Sequence, residues 1–173
     1  MILYVMRHAE AVAGTDSLQD NWRYLTEKGR SVAEKAASQI TRIGPKPRLT
    51  ITSPLTRAVQ TAEIIAQKAC RKNVVVASEL LLPGKEIVDI ITHLDECHDA
   101  KRVMLVGHEP QLGQLVAQLL GHTQDEVSMK SGSCIALELG QHASEKPAVF
   151  LWYLVPGKKR LTSYKKAFPK LKH

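Results

Sequence analysis

Four residues of this chain have the side-chain types to do chemistry together: Arg7, His8, Arg57 and His108. They sit in short stretches far apart, Met6-Arg7-His8-Ala9, Ser53-Pro54-Leu55-Thr56-Arg57-Ala58-Val59-Gln60-Thr61 and Val106-Gly107-His108-Glu109-Pro110. A fourth stretch, Ser78-Glu79-Leu80, adds a carboxylate. Guanidinium groups are permanently charged forks that match phosphoryl oxygens. A neutral imidazole is a nucleophile near pH 7 that can accept a phosphoryl group and then release it. His8 is the better candidate nucleophile because Arg7 directly precedes it at the end of an apolar run, and His108, protonated or donating, then sits across the phosphate. Arg57 falls in the first turn of an expected helix, whose amides also favour anions. Phosphoryl transfer needs stabilisation of charge on three oxygens more than covalent help, so this set calls for no metal and no other cofactor. Each part alone is weak evidence. An Arg-His pair arises by chance in many proteins, and Ser53-Pro54 is accounted for as a helix start.

The weight lies in where the parts fall along the chain. Ile2 to Met6 reads as a buried strand ending at Arg7, and residues 9–24 as an irregular loop long enough to be functional. Thr26 reads as the N-cap of a helix with Val32, Ala33, Ala36, Ala37, Ile40 and Ile43 at helical spacing, stopped by Gly44-Pro45. The pattern then repeats. Leu49 to Thr52 is a strand, Ser53 an N-cap with Pro54 at the first helical position, and Leu55 to Ala69 an apolar-striped helix. Val74–Ala77 and Val103–Val106 read as further strands, each followed by a loop and an amphipathic helix. Two more strands are expected near Ser133–Leu139 and Ala148–Val155. Alternating strands and helices imply a single-domain three-layer α/β/α sandwich around a largely parallel sheet, which binds ligands beyond the carboxyl ends of its strands. His8, Ser53, Glu79 and His108 each follow a strand, so all four segments should meet at one edge.

Composition sets the bounds. At 173 residues the chain suits one domain. No apolar run approaches the roughly 18 residues of a membrane span, and the apolar start lacks the flanks of an export signal, so a cytoplasmic location is expected. Cys70, Cys97 and Cys134 are odd in number and widely spaced, which suits reduced packing residues better than metal or redox roles. His93, His98, His122, His142 and His173 show no zinc spacing and are read as surface residues. The formal charge is +7, yet all 17 acidic residues precede Gly157 and seven of the 24 basic ones follow it. The body is therefore formally neutral, and the excess sits in residues 157–173, a basic tail that reads as a solvated end, with attraction of acidic partners as the alternative. That distribution argues against nucleic acid as the partner.

Taken with their flanking sequence, these stretches resemble the histidine phosphatase superfamily, the phosphoglycerate-mutase-like group named for an R-H-G motif. The likeness runs roughly from Met1 to Gly157. It rests on V-M-R-H at Val5–His8, L-T-E-K-G at Leu25–Gly29, S-P-L-T-R-A-V-Q-T at Ser53–Thr61, S-E-L at Ser78–Leu80 and V-G-H-E-P-Q-L-G at Val106–Gly113. Within that group the chain is most similar to the small SixA-type phosphohistidine phosphatases. The resemblance implies His8 as the phosphorylated nucleophile, with Arg7, Arg57 and His108 holding the phosphoryl group. Two departures stand out. Ala9 replaces the usual glycine, which is tolerable where the position needs no positive φ. Glu79 is the one carboxylate placed to protonate an ester leaving group, but it lacks the G-x-W-E-G that often follows and could equally cap the next turn.

The resulting reading has a histidine phosphatase domain at residues 1–156 and the basic tail beyond it. The activity expected is metal-independent hydrolysis of phosphohistidine on a partner protein. Little chain is available between Glu79 and His108 for a lid, and an open pocket suits a protruding phosphohistidine. A small-molecule phosphomonoesterase or mutase of the same superfamily is the first alternative. A non-catalytic, phosphate-dependent binding module is the second, disfavoured because a binder needs no nucleophile.

Overall fold

The computed structural model describes residues 1–69, 74–122, 127–144, 146–169 and 171, and for His98 the backbone alone. The expected strands form one six-stranded sheet: β1 (Ile2–Arg7), β2 (Leu49–Thr52), β3 (Val74–Ala77), β4 (Arg102–Gly107), β5 (Cys134–Glu138) and β6 (Val149–Leu154). Their order is β3-β2-β4-β1-β5-β6. The first four run parallel, and β5 and β6 continue the sheet antiparallel beyond β1. β1 and β4 are central and covered on both faces, which is why their sequences are apolar throughout rather than alternating with polar residues. Leu3, Val5, Val103 and Leu105 enter one core, and Tyr4, Met6, Met104 and Val106 the other.

The second of these cores is closed by α1 (Glu27–Ile43) and α2 (Thr56–Ala69), whose inward stripes are largely alanine and isoleucine and so let both helices lie close against the sheet. The first is closed by α3 (Ile87–Glu96) and α4 (Gln111–Leu119). Thr26 caps α1 as expected, its hydroxyl accepting from the Gly29 N–H at 2.9 Å. α2 differs from expectation. It begins at Thr56 rather than directly after Ser53, with Leu55 carrying the first helical carbonyl, because the Ser53 hydroxyl accepts from Leu55 N–H and also engages His108. Cys97 and Cys134 are free thiols, consistent with packing roles, and Cys70 lies outside the described residues.

The C-terminal segment corrects the picture of a solvated tail. Leu161 pairs with Tyr153 beside β6, and α5 (Tyr164–Ala167) follows. Phe168 and Leu171 are buried in the α3/α4-side core, with the Phe168 ring stacked on Tyr153 and edge-on to Phe150. His122, read as a surface residue, meets the Tyr164 hydroxyl at 2.8 Å and ties α5 down. The charged residues Lys158, Lys159, Arg160, Lys165 and Lys166 do face solvent, while Lys170, Lys172 and His173 lie outside the described residues. A charge count sees the lysines and overlooks two apolar anchors spaced among them.

Candidate active site

The parallel pairing of β1 with β4 sets Arg7 opposite Gly107, so His8 and His108 each stand one residue past a matched pair at the sheet's carboxyl edge. The His8 N–H continues the ladder to the Gly107 carbonyl at 3.0 Å. The two imidazoles end up 5.0 Å apart between ring centres and tilted by 55°. Ser53, past β2, reaches the same edge, its hydroxyl 2.8 Å from His108 Nε2. Arg57 enters from the first turn of α2 and is only 5% exposed. Three chain-distant stretches, at residues 6–9, 53–61 and 106–110, thus meet at one place.

The partner of His8 fixes which of its ring nitrogens carries the proton. His8 Nδ1 lies 2.7 Å from the Ala9 carbonyl, which can only accept. Nδ1 therefore carries the hydrogen and Nε2 keeps its lone pair. The Ser53 hydroxyl accepts from Leu55 N–H and keeps its hydrogen and a second lone pair, so it pairs with His108 Nε2 in either neutral tautomer of that ring. Burial, reinforced by Arg57 and Arg7 nearby, pushes His8 down to about 4, against the pull of its bond to Ala9. Burial, with His8 and Arg57 next, pushes His108 down to about 3. Both rings are neutral at pH 7, so His108 is a donor and not an imidazolium in the free protein. Two buried side-chain nitrogens, Arg7 Nε and His108 Nδ1, have no hydrogen-bond partner. Arg7 is anchored through Nη1 on the Met129 carbonyl at 2.7 Å.

The flanking motif residues are explained by the same contacts. Thr26 N–H bonds to the Glu10 carbonyl, and a Cβ on Gly29 would lie 2.0 Å from that oxygen, so only glycine lets α1 come this close to the segment after His8. Gln60 accepts from Leu25 N–H, and Thr61 accepts from Ala9 N–H while donating to the Arg57 carbonyl. Ala9 itself is fully buried beside Leu25 and Ala33 and has no positive φ, so its methyl group is accommodated.

Measured against a model of the histidine phosphatase superfamily (branch 1), residues 3–80 match. An uncharacterised protein of Picosynechococcus sp. is 33% identical over 143 residues, 81% of this chain and 86% of that protein. The chain belongs to the histidine phosphatase superfamily. Among solved structures of that fold, the protein histidine phosphatase SixA complexed with tungstate superposes with a TM-score of 0.78 at 21% identity, covering 90% of this chain and 97% of that one. A SixA protein from Agrobacterium tumefaciens gives 0.77 at 20%, covering 90% and 97%. The α-ribazole phosphatase from Shigella flexneri gives 0.68 at 18%, covering 87% and 94%. The architecture is therefore the phosphoglycerate-mutase-like one, SixA-like in its compactness.

Within this superfamily member, Glu79 differs from Arg57 and His108 in being exposed. It opens a 3₁₀ turn capped by the Ser78 hydroxyl, and its side chain is exposed. A second carboxylate, on Asp20, contacts Arg57 directly. Asp20 accepts from Arg57 twice, through its carbonyl at 2.7 Å and its carboxylate at 3.0 Å, and its other oxygen takes Arg23 at 2.8 Å. Partial burial alone would raise Asp20, but the bonds from Arg23 and Arg57 hold it below the usual carboxylate range. Asp20 and Arg23 went unread in the sequence. The one available signal was the length of the loop carrying them, which marked the loop but singled out neither residue. Among the described residues, no group of three or more His, Cys, Asp or Glu side chains is placed to hold a metal ion.

Proposed function

We propose that this protein is a metal-independent phosphohistidine phosphatase acting on a partner protein through a phospho-His8 intermediate. The observation that carries the nucleophile is the bond from His8 Nδ1 to the Ala9 carbonyl, which turns an unprotonated Nε2 outward from a neutral ring. In the first step the Nε2 lone pair forms a bond to phosphorus, and the substrate's P–N bond breaks with its electron pair leaving on the substrate imidazole. In the second, a water oxygen bonds to phosphorus, the P–Nε2 bond breaks, its pair returns to His8, and the water's proton passes to solvent. Arg7 and Arg57 offset the charge on the phosphoryl oxygens in both steps, and His108 donates a hydrogen bond to them. Arg7 Nε and His108 Nδ1, unpartnered in the free protein, gain acceptors from those oxygens after a small side-chain movement.

The leaving group favours phosphohistidine. An imidazole protonated on its other nitrogen departs neutral, whereas an alkyl ester expels an alkoxide, for which a positioned acid is worth roughly 10²–10⁴-fold. Glu79 is exposed and Asp20 is held ionised, so neither is a ready donor. The test is side-by-side turnover of a phosphohistidine peptide and an alkyl phosphate, with base-quenched trapping of the enzyme. The peptide should be hydrolysed far faster, and an acid-labile, base-stable phosphoenzyme should vanish in His8→Ala. Rapid turnover of the alkyl phosphate, lost in Glu79→Gln, would establish the phosphomonoesterase instead, and label on His108 would reverse the assignment of the nucleophile.

A further inference from the structure

On the flank of the sheet, between α1 and the end of β6, runs a groove of about 860 Å³. Lys28, Lys35 and Arg42 line it from α1 at seven-residue intervals, which puts them on one face of that helix. Lys68 from the end of α2 and Lys158 from the turn after β6 join them, and Glu34 is the single acidic residue in the lining. Lys28 is paired with Glu10 at 2.8 Å, whereas among the described residues Lys35, Arg42, Lys68 and Lys158 have no carboxylate within 4.0 Å. Gly132, beside Val32, also lines the groove, and its N–H bonds to the carbonyls of both Arg7 and His8. The groove therefore adjoins the backbone of the candidate nucleophile.

We infer that this groove docks an acidic, extended segment of the protein that presents the phosphohistidine. The inference rests on the phosphohistidine reading and names the chemistry of its partner. The cations are strung along the groove instead of converging on a point, which suits a chain of carboxylates better than a single small anion. From Lys28 to Arg42 the helix rises roughly 21 Å at 1.5 Å per residue. An extended chain at about 3.3 Å per residue covers that distance with about six residues. Acidic side chains about three to nine residues from the phosphohistidine would thus lie over the basic stripe. The floor is aliphatic, with Val32, Leu154 and Pro156, and the lining contains no aromatic ring on which a base could stack, which sets it apart from a single-strand nucleic-acid channel.

The test uses two phosphohistidine peptides of equal length, one with glutamates three to nine residues from the phosphohistidine and one with serines there. Wild-type protein should turn over the acidic peptide with a kcat/KM about tenfold or more higher at low salt, and the advantage should fade as salt rises. The triple variant Lys35→Glu, Arg42→Glu, Lys158→Glu should lose that advantage while hydrolysing a small phosphoramidate like wild type, which also shows that it folds. Equal turnover of the two peptides by wild type, or an advantage that survives in the variant, overturns the inference. If neither peptide is hydrolysed but a phosphomonoester is, the phosphohistidine reading fails on its own. The groove is then judged by fluorescence anisotropy with the unphosphorylated acidic peptide, which should bind wild type and not the variant. Tighter binding of poly(U) than of the acidic peptide, abolished in the same variant, would make the groove a nucleic-acid site and refute the acidic-peptide assignment.

Discussion

At the scale of single residues, the arrangement makes its sharpest demand on Arg57. Its Nη1 and Nη2 are already turned toward Asp20, and its buried guanidinium is close enough to both histidines to lower their pKa values. Arg57→Ala should lower kcat/KM by about 10²-fold or more, as loss of a charge partner for the transition state does. Arg57→Lys should restore little of it, because an ammonium cannot hold Asp20 and a phosphoryl oxygen with one planar fork. Steady-state kinetics on a small phosphoramidate measures both. The imidazoles set the pH behaviour. Because His8 and His108 titrate below the ordinary histidine value when folded, the unfolded chain binds more protons between about pH 6.5 and pH 3–4. Stability therefore rises with pH across that window and is lost as the medium is acidified through it. Denaturant titrations at pH 7, 5.5 and 4.5 should show a falling midpoint, with a smaller fall in a variant carrying His108→Gln. Arg7, His8, Arg57 and His108 were legible in sequence because each has a distinctive side chain at or close behind a strand's carboxyl end. Asp20 was not, because its partner is 37 residues away and nothing local marks an aspartate in an irregular loop.

At the scale of elements, most strands and helices follow from periodicity, and the departures have local causes. The start of α2 shifts because Ser53 serves His108 as well as the helix. The L-T-E-K-G stretch was readable as a cap, but the role of its glycine was not, since the oxygen that forbids a side chain belongs to Glu10. Gly29→Ala should push α1 away from the segment after His8 and cost about 1–3 kcal/mol, the usual range for overpacking. Guanidinium unfolding would register this as a lower midpoint, and kcat should fall with it because the Glu10 backbone moves. An unchanged midpoint and kcat would show that the contact at Gly29 yields without consequence.

At the scale of the whole molecule, the antiparallel pair β5–β6 carries the sheet past β1 and gives the C-terminal segment a surface to close. Charge alone could not reveal this, because a run of lysines looks the same whether or not a phenylalanine among them is buried. Phe168→Ala should destabilise the fold by about 3–5 kcal/mol, as removal of a buried aromatic ring does. Its kinetics on a small substrate should stay near wild type at temperatures where it remains folded. Thermal unfolding followed by circular dichroism would show the loss, and an unshifted Tm would return residues 157–173 to the status of a detachable end.

The register of β1 against β4 has one more effect. Neighbouring strands in a sheet keep a repeat of about 4.7–4.9 Å, fixed by their backbone bonds whatever side chains they carry. His8 and His108 each stand one residue past the last matched pair of two adjacent strands, and their rings are 5.0 Å apart. The gap into which a phosphoryl group must fit is thus a ruler mark of the sheet. The rings keep that spacing as long as the Ala9 carbonyl holds His8 and the Ser53 hydroxyl holds His108. Accommodation of different leaving groups has to come from the parts off the ruler, the arginine forks and the loop bearing Asp20. The histidines form a fixed jaw, and selectivity belongs to what closes against it.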